Sequence, residues 1–527
     1  MFKSFPRARL VALATIVALS FVSGGWLLRP KPAAEGGIYQ QARLFEDVVA
    51  TINHHFIDSV GEGDLYQRAA AALVGTLHDP YAELLVKDGY REYQRQMTGT
   101  EFDLEGGNRP TESGIDSRAD HGLFDAGDEV LSIDGRSTVG WSATRVEAAL
   151  RAGTGRTVTV LVRPRGSSKP VIRHLTRTAV HVPATSQGIL LDGQVGYVVL
   201  RRLSEGAGSE LRQAVDRLMA QGMKAMVLDL RSNPGGLIRE GVDVASLFLH
   251  SGDTVATSVG RSIYRSKTYL AGESGGWDSL RLVLLINRGT ASSAELIAGA
   301  LQDHDRAVLV GTPSYGKGVL QTTYPLGDEV ALKLTTARWY TPSGRSVQRP
   351  KPDSAGGQAN RTPALHPLIF RTDAGRPIPD ASGILPDLMV RTSLRSDGER
   401  MLANALGDNL DRFHSAVAGY AADLRANGSV TDESFQVTQG MREGLFQRLE
   451  EEGITLSRDT FDGALSYVDE QLGYEIAREL FGTESVVRRQ AKADRQLQAA
   501  LRIVRASRTQ QEALTAAVAA QTSGRSR

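Results

Sequence analysis

The sequence predicts a multidomain α/β protein: an N-terminal helical arm, a β-rich module, an α/β core and a C-terminal helical domain. Three observations carry this expectation. The chain has 527 residues, too many for one compact core, and length alone suggests about three domains. Between residues 180 and 392, apolar runs of strand length alternate with amphipathic runs of helix length, as in a sheet buried on both faces. At residues 39–83, and again from about residue 395, apolar side chains recur at helical spacing.

Composition narrows the class. Hydrophobic content of 41% and charged content of 23% are those of a globular chain. A net charge of +1 gives no field that would gather nucleic acid, and none is expected as a partner. The chain has no cysteine, which excludes disulfides, thiolate metal sites, a cysteine nucleophile and a lipidated N-terminal cysteine.

The elements follow in order. Lys3, Arg7 and Arg9 precede an uncharged run of nineteen residues, Leu10–Leu28, which Arg29 and Lys31 close. The run is nearly long enough to span a bilayer, and the basic residues before it place residue 1 in the cytoplasm and the bulk of the chain outside. Residues 1–34 therefore read as a signal or anchor segment, uncleaved by preference, with inner-membrane association through residues 10–28 and function on the extracytoplasmic, periplasmic side. Residues 35–84 form a helical region in which Leu44, Val48, Ile52 and Phe56 share one face and Leu65–Leu77 carries another; Pro80 closes it. It reads as a packing or dimerisation arm.

Residues 85–180 form the β-rich module. Glu129-Val-Leu-Ser-Ile-Asp-Gly135 reads as a strand running into an Asp-Gly turn, Arg145–Arg151 as a helix, Thr157–Arg163 as an alternating strand and Arg165–Pro170 as a hairpin turn. With Gly122–Asp128 added, this text resembles a divergent PDZ module, a fold that binds extended C-terminal peptides by strand addition. The resemblance stops at the carboxylate-capturing loop. Thr98–Ser113 carries Glu101, Asp103, Glu105 and Glu112 where an apolar loop would be needed, and these acids would repel a carboxylate.

Residues 181–394 form the core. Gly196–Leu200, Ala225–Leu230, Leu282–Ile286 and Val308–Val310 read as strands, and Ser209–Gln221 as an amphipathic helix. Ala225–Leu230 runs into Arg231-Ser-Asn-Pro-Gly-Gly236, and Leu282–Ile286 leads to Thr290-Ala-Ser-Ser-Ala-Glu295. The carboxyl ends of parallel strands are where α/β folds place their sites. Lys351–Pro367 reads as an exposed loop. Residues 395–527 are the helical C-terminal domain, where Leu497, Ala500, Leu501 and Val504 share a face. Residues 484–527 hold nine basic and three acidic side chains, which read as a solvated helix face in preference to a membrane- or partner-binding tail.

The chemistry centres on Ser292 and Lys317. A serine is a weak nucleophile unless a neighbouring base takes its proton, and neither Thr290–Glu295 nor Ser314–Gln321 contains a histidine. The candidate base is then Lys317, which can accept a proton only as a neutral amine. Read without that partner, Ser292 is an ordinary helix cap and Glu295 the other half of a capping box. Asn287–Asp303 and Arg306–Gln321, however, resemble the nucleophile and lysine segments of the C-terminal processing peptidases, also called tail-specific proteases. In that family the serine precedes the lysine by 25 positions and a glutamine follows it by four. Here those positions are Ser292, Lys317 and Gln321, and the spacing selects Ser292 over Ser293. The helical lead-in with its Asp-Pro-Tyr ending, Arg338–Arg345 and Gly383–Asp387 also resemble family text.

The resemblance implies a serine endopeptidase that cuts proteins near their C-termini, with Ser292 as nucleophile, Lys317 as general base and Gln321 orienting the lysine. It implies an oxyanion site made by the amide of Ser293 and by that of Gly235 or Gly236. Protein or peptide substrates follow, with no cofactor and no metal; the histidines, His54, His55 and His304 among them, lack ligand spacing, and no phosphate-binding loop is present. The helical regions could support a homo-oligomer or an adaptor. The rival reading is a catalytically silent, membrane-anchored scaffold on a protease fold; a hydrolase of small esters is a third.

Overall fold

The computed structural model describes residues 38–525 except 105–109, 112–113, 116–128, 140, 142, 152–156, 165–166, 193, 262–265, 351–368 and 393–394. The anchor expected at residues 10–28, the Gly122–Asp128 text and the Lys351–Pro367 loop lie outside the described residues. No helix among the described residues is long and apolar enough to cross a membrane.

The chain divides into two compact units, residues 1–84 and 85–527. The described part of the first holds helices α1 (Ile38–His55) and α2 (Glu62–Gly75), whose Phe45 and Tyr66 rings meet at 5.9 Å. Leu44, Val48, Ile52 and Phe56, the face expected to pack, are exposed. The helical run stops at Gly75, capped by Thr76 and ahead of the expected stop at Pro80.

Strand β1 (Glu83–Val86) and helix α3 (Asp88–Thr98) lead to the β-rich module. There β2 (Thr100–Leu104), β5 (Glu129–Ile133), β6 (Arg136–Ser137), β7 (Thr157–Arg163) and β8 (Val171–His181) form an antiparallel sheet in the order β2-β8-β7-β5-β6, joined by helix α4 (Ala143–Arg151). A two-residue ladder, β3 (Pro110–Thr111) with β4 (Gly114–Ile115), stands apart from it. The predicted Asp134-Gly135 turn closes the β5–β6 hairpin with positive φ at both residues, the requirement of a type I′ turn. Strands β7 and β8 pair antiparallel on either side of the predicted Arg165–Pro170 turn.

The core is built on six strands: β9 (Ile189–Leu191), β10 (Val195–Val199), β11 (Ala225–Asp229), β14 (Arg281–Ile286), β15 (Val308–Gly311) and β20 (Leu388–Met389), in the order β20-β15-β14-β11-β10-β9. All neighbours run parallel except the antiparallel edge strand β9. Side chains alternate between two dry faces, as a period of two demands. Met226, Leu228, Leu282, Leu284, Ile286 and Leu309 face α5 (Ala207–Ala220), α6 (Ile238–Ser246) and α7 (Ser293–Asp303). Val227, Val283, Leu285, Val308 and Val310 join the opposite cluster. A second, antiparallel sheet contains β12 (Thr254–Gly260), β13 (Lys267–Leu270), β16 (Val319–Gly327) and β17 (Val330–Tyr340). A short hairpin, β18 (Ile369–Arg371) with β19 (Pro377–Pro379), completes the strands. The Arg338–Arg345 and Gly383–Asp387 segments brace the core through ion pairs, the buried Arg345 with Asp303 and the half-buried Asp387 with Arg376.

The C-terminal residues do two different jobs. Helices α8 (Asp397–Leu406), α9 (Leu410–Ala426), α10 (Gln439–Glu451), α11 (Arg458–Gly463) and α12 (Leu465–Phe481) share a core of their own. Helices α13 (Thr483–Ala493), α14 (Arg495–Ala506) and α15 (Gln510–Arg525) instead bury Leu497, Ala500, Leu501, Val504 and Leu514 against the second face of the six-stranded sheet. Of the basic side chains read as a solvated face, Lys492, Arg495, Arg502, Arg505 and Arg508 are exposed, whereas Arg488 and Arg489 are half-buried. A boundary at 395 therefore groups helices that pack alone with helices belonging to the sheet.

Candidate active site

Strand β14 ends at Ile286, and six residues later the chain turns into α7, all of whose eleven residues are buried. Ser292 stands at that turn with φ +56° and ψ −123°, a conformation that costs a non-glycine residue about 1–3 kcal/mol and is held by its surroundings. Its neighbour Ser293 is 0% exposed, against 8% for Ser292, and lies under Gly241, where a Cβ would come within 3.0 Å of the Ser293 Cβ. Of the two serines, Ser292 is the less deeply buried.

Glu295 organises the site. Its carboxylate is 0% exposed and accepts four hydrogen bonds: from the Ser292 amide (2.9 Å) and the Lys317 amide (2.8 Å) on Oε2, and from the Ser314 hydroxyl (2.5 Å) and the Gly316 amide (2.7 Å) on Oε1. One oxygen thus binds the main chain of both Ser292 and Lys317, so their amide nitrogens can be no farther apart than these two bonds laid end to end. The Ser314 hydroxyl donates to this carboxylate, and its oxygen accepts from the Ile384 amide at 2.6 Å. Burial pushes the Glu295 carboxyl above the ordinary carboxylate range, and the four donors pull it back. Glu295→Gln replaces an acceptor with an NH₂ group facing donors. We expect it to lower stability by roughly 2–4 kcal/mol, read by chemical denaturation, and to reduce turnover.

Lys317 is half-buried on the approach to β16. Its amide is held by Glu295, its carbonyl accepts from the Trp339 indole at 3.1 Å, and Trp339 is itself 1% exposed. Gln321 lies four residues along, half-buried on β16, and donates to Thr335 Oγ1 at 3.4 Å.

The loop after β11 meets this turn from the other side. Gly235 has φ +89°, and a Cβ there would stand 2.7 Å from the Ala291 carbonyl oxygen, 2.9 Å from the Ser292 Cβ and 3.0 Å from the Ser293 nitrogen. At Gly236, φ +150°, a Cβ would collide with the Leu203 carbonyl at 2.3 Å. Both positions therefore need glycine. They differ as amide donors. The Gly235 amide donates to Asn233 Oδ1 at 2.8 Å, whereas the bridge to Leu203 runs from Leu203 N to Gly235 O and from Leu237 N to Leu203 O and does not use the Gly236 amide. Of the two glycines named from sequence, Gly236 is the one whose amide the loop leaves to other partners. Gly235→Ala sets a methyl group against Ser292 and the Ser293 amide. We expect it to lower kcat about 10²–10³-fold on a peptide substrate, with the far-ultraviolet spectrum unchanged.

The two loops are laced together. Asn287 Oδ1 accepts from the Ser232 and Gly289 amides (2.8 and 2.9 Å), the Thr290 hydroxyl donates to the Leu230 carbonyl (2.7 Å), and the Ala291 amide donates to the Asn233 carbonyl (2.9 Å). Asn233 is 0% exposed and ties back to the Leu200 carbonyl. Behind them Asp229 receives the Tyr197 hydroxyl (2.8 Å) and both the amide and the guanidinium of Arg231. Burial acts against the Arg231 charge, but Asp229 and Asp494 outweigh it, and the guanidinium is held above its ordinary pKa. Sequence reasoning did not assign Asp229, Asn233 or Glu295 to the site. Asp229 and Asn233 were visible as polar residues at the end of an apolar strand; the reach of Glu295 to Ser314, Gly316 and Lys317 left no local signal.

A serine at a strained helix start, a lysine whose amide is held by the same carboxylate and a glycine-bearing loop beside the serine meet at this one place. Sequence comparisons with known proteins identify the family. The model of Peptidase family S41 matches residues 194–355. The carboxy-terminal-processing protease of Bartonella bacilliformis is 32% identical over 326 residues, covering 60% of this chain and 74% of that protein. The carboxyl-terminal-processing protease of Synechocystis sp. is 32% identical over 296 residues, covering 53% and 68%. Among solved structures, the photosystem II D1 C-terminal processing protease aligns at 24% identity over 66% of this chain and 92% of its own, with a TM-score of 0.34. The chain belongs to the carboxy-terminal-processing proteases of peptidase family S41 and is a serine peptidase.

Proposed function

We propose that this chain is a Ser-Lys endopeptidase that cuts extracytoplasmic proteins near their C-termini. The observation that carries the reading is the shared Glu295 oxygen, which brings Ser292 and Lys317 together across 25 residues of chain. In this reading the neutral Lys317 amine takes the Ser292 hydroxyl proton as the oxygen attacks the scissile carbonyl. The amides of Ser293 and Gly236 receive the developing oxyanion. The lysine then gives its proton to the leaving amine, an acyl ester remains on Ser292, and water releases it by the reverse transfers. Gln321 orients the lysine without adding charge.

Residues 10–28, with basic residues on the N-terminal side, support an inner-membrane anchor and a periplasmic site of action. The five-stranded antiparallel sheet with helix α4 supports a PDZ-like role for residues 85–180 in docking or shielding substrate. The test is to incubate the full chain with an unfolded protein and map the products by mass spectrometry. Internal cuts clustered near the C-terminus are expected. A ladder of single-residue losses, or no cleavage, would reject the reading and leave the silent scaffold in its place.

A further inference from the structure

The C-terminal helices reach the active-site loop at Arg231. Arg231 opens that loop, and its guanidinium spends donors in two directions. Nε bonds Asp229 Oδ1 and Oδ2 (2.9 and 3.0 Å) and Nη2 bonds Asp229 Oδ2 (2.5 Å), all within the core. Nη2 also pairs with Asp494 Oδ2 at 2.7 Å, and Nη1 donates to Gln496 Oε1 at 3.0 Å. Asp494 and Gln496 lie far beyond the residues matched by the family model.

Both partners are rigidly held. Asp494 is the N-cap of α14: its other oxygen, Oδ1, accepts from the amides of Gln496 (2.9 Å) and Leu497 (3.0 Å). One carboxylate thus caps a helix and grips an arginine. Gln496 is 1% exposed, and its NH₂ group donates to the Val390 carbonyl at 2.7 Å, beyond the end of β20. From there α14 descends onto the sheet through Leu497, Ala500, Leu501 and Val504. The grip is therefore anchored in a packed core, while the far side of the loop is sewn to the Ser292 turn through Asn287, Thr290 and Asn233.

We infer that Asp494 and Gln496 are positioning residues for peptide-bond cleavage: they fix Arg231, and with it the course of residues 231–236 that lays Gly235 against the Ser292 turn and carries the Gly236 amide proposed to receive the oxyanion. The inference rests on the proposed Ser292 chemistry. It makes the last helical layer, outside the family match, a working part of the site. Displacing a catalytic group by about 1 Å can cost around a hundredfold in rate, so a loosened clamp should be visible in turnover.

The test uses the full chain and Asp494→Asn. Asparagine caps a helix about as well as aspartate, so the fold keeps its cap while Arg231 loses a charged partner. We expect kcat to fall tenfold to a hundredfold, KM to stay within twofold, and the affinity of a peptide boronate, which forms a tetrahedral adduct on serine, to weaken by the same factor as kcat. The melting temperature should move by no more than a few degrees. Asp494→Glu restores the charge but caps poorly, and should recover part of kcat while melting lower than Asp494→Asn. Activity that follows melting temperature across the two variants, or an Asp494→Asn enzyme with wild-type kcat, would overturn the inference and leave the peptidase reading intact. Absence of cleavage by the wild-type chain would overturn both.

Discussion

Ser292→Ala is expected to lower kcat by about 10⁴–10⁶-fold, with the protein folded and its substrate affinity retained. The loss is large because the hydroxyl supplies the covalent step, while the amides that receive the oxyanion survive and keep a small residual rate. Alanine fits the space, but it does not relax the turn: φ at residue 292 is imposed by Glu295, which binds its amide, and by the Ala291–Asn233 bond before it. The substitution therefore reports on chemistry. Cleavage followed by mass spectrometry, together with thermal denaturation, checks it. Ser293→Ala should do far less to kcat, since Ser293 Oγ is buried and touches no hydrogen-bond partner.

Lys317→Ala should be nearly as damaging, about 10³–10⁴-fold in kcat, because the serine then has no base. Lys317→Arg is the sharper variant. It keeps the length and a hydrogen-bonding end, but a guanidinium stays protonated in proteins and cannot accept the serine proton. It should be as inactive as the alanine variant. The double variant Ser292→Ala with Lys317→Ala should be no worse than the worse single one, as residues that act as a unit show non-additive losses. An active Lys317→Arg enzyme would remove the lysine from the role of base.

The parts of this protein that could be read in its sequence were local. The apolar strands Ala225–Leu230 and Leu282–Ile286 and the Asp134-Gly135 hairpin each lie within one stretch of text, and each has its expected place in the fold. What escaped was long-range. Glu295 looked like half of a capping box, and it does hold the Ser292 amide, but its other three partners lie 19 to 22 residues on. The apolar face of Leu497, Ala500, Leu501 and Val504 was visible, yet nothing in a single sequence says that it covers a sheet whose strands begin about three hundred residues earlier. The capture of the Gly235 amide by the Asn233 side chain was equally hidden.

The central claim is that Ser292 is a nucleophile made reactive by Lys317, and its most direct measurement is covalent labelling. The full chain, and the Lys317→Ala and Lys317→Arg variants, are treated with a phosphonate ester that reacts only with activated serines, and the modified peptide is sequenced by mass spectrometry. The account predicts one label per wild-type chain, on Ser292 and not on Ser293, and none on either lysine variant over the same time. A label on another serine, or one that reaches Ser292 equally fast without Lys317, would contradict it.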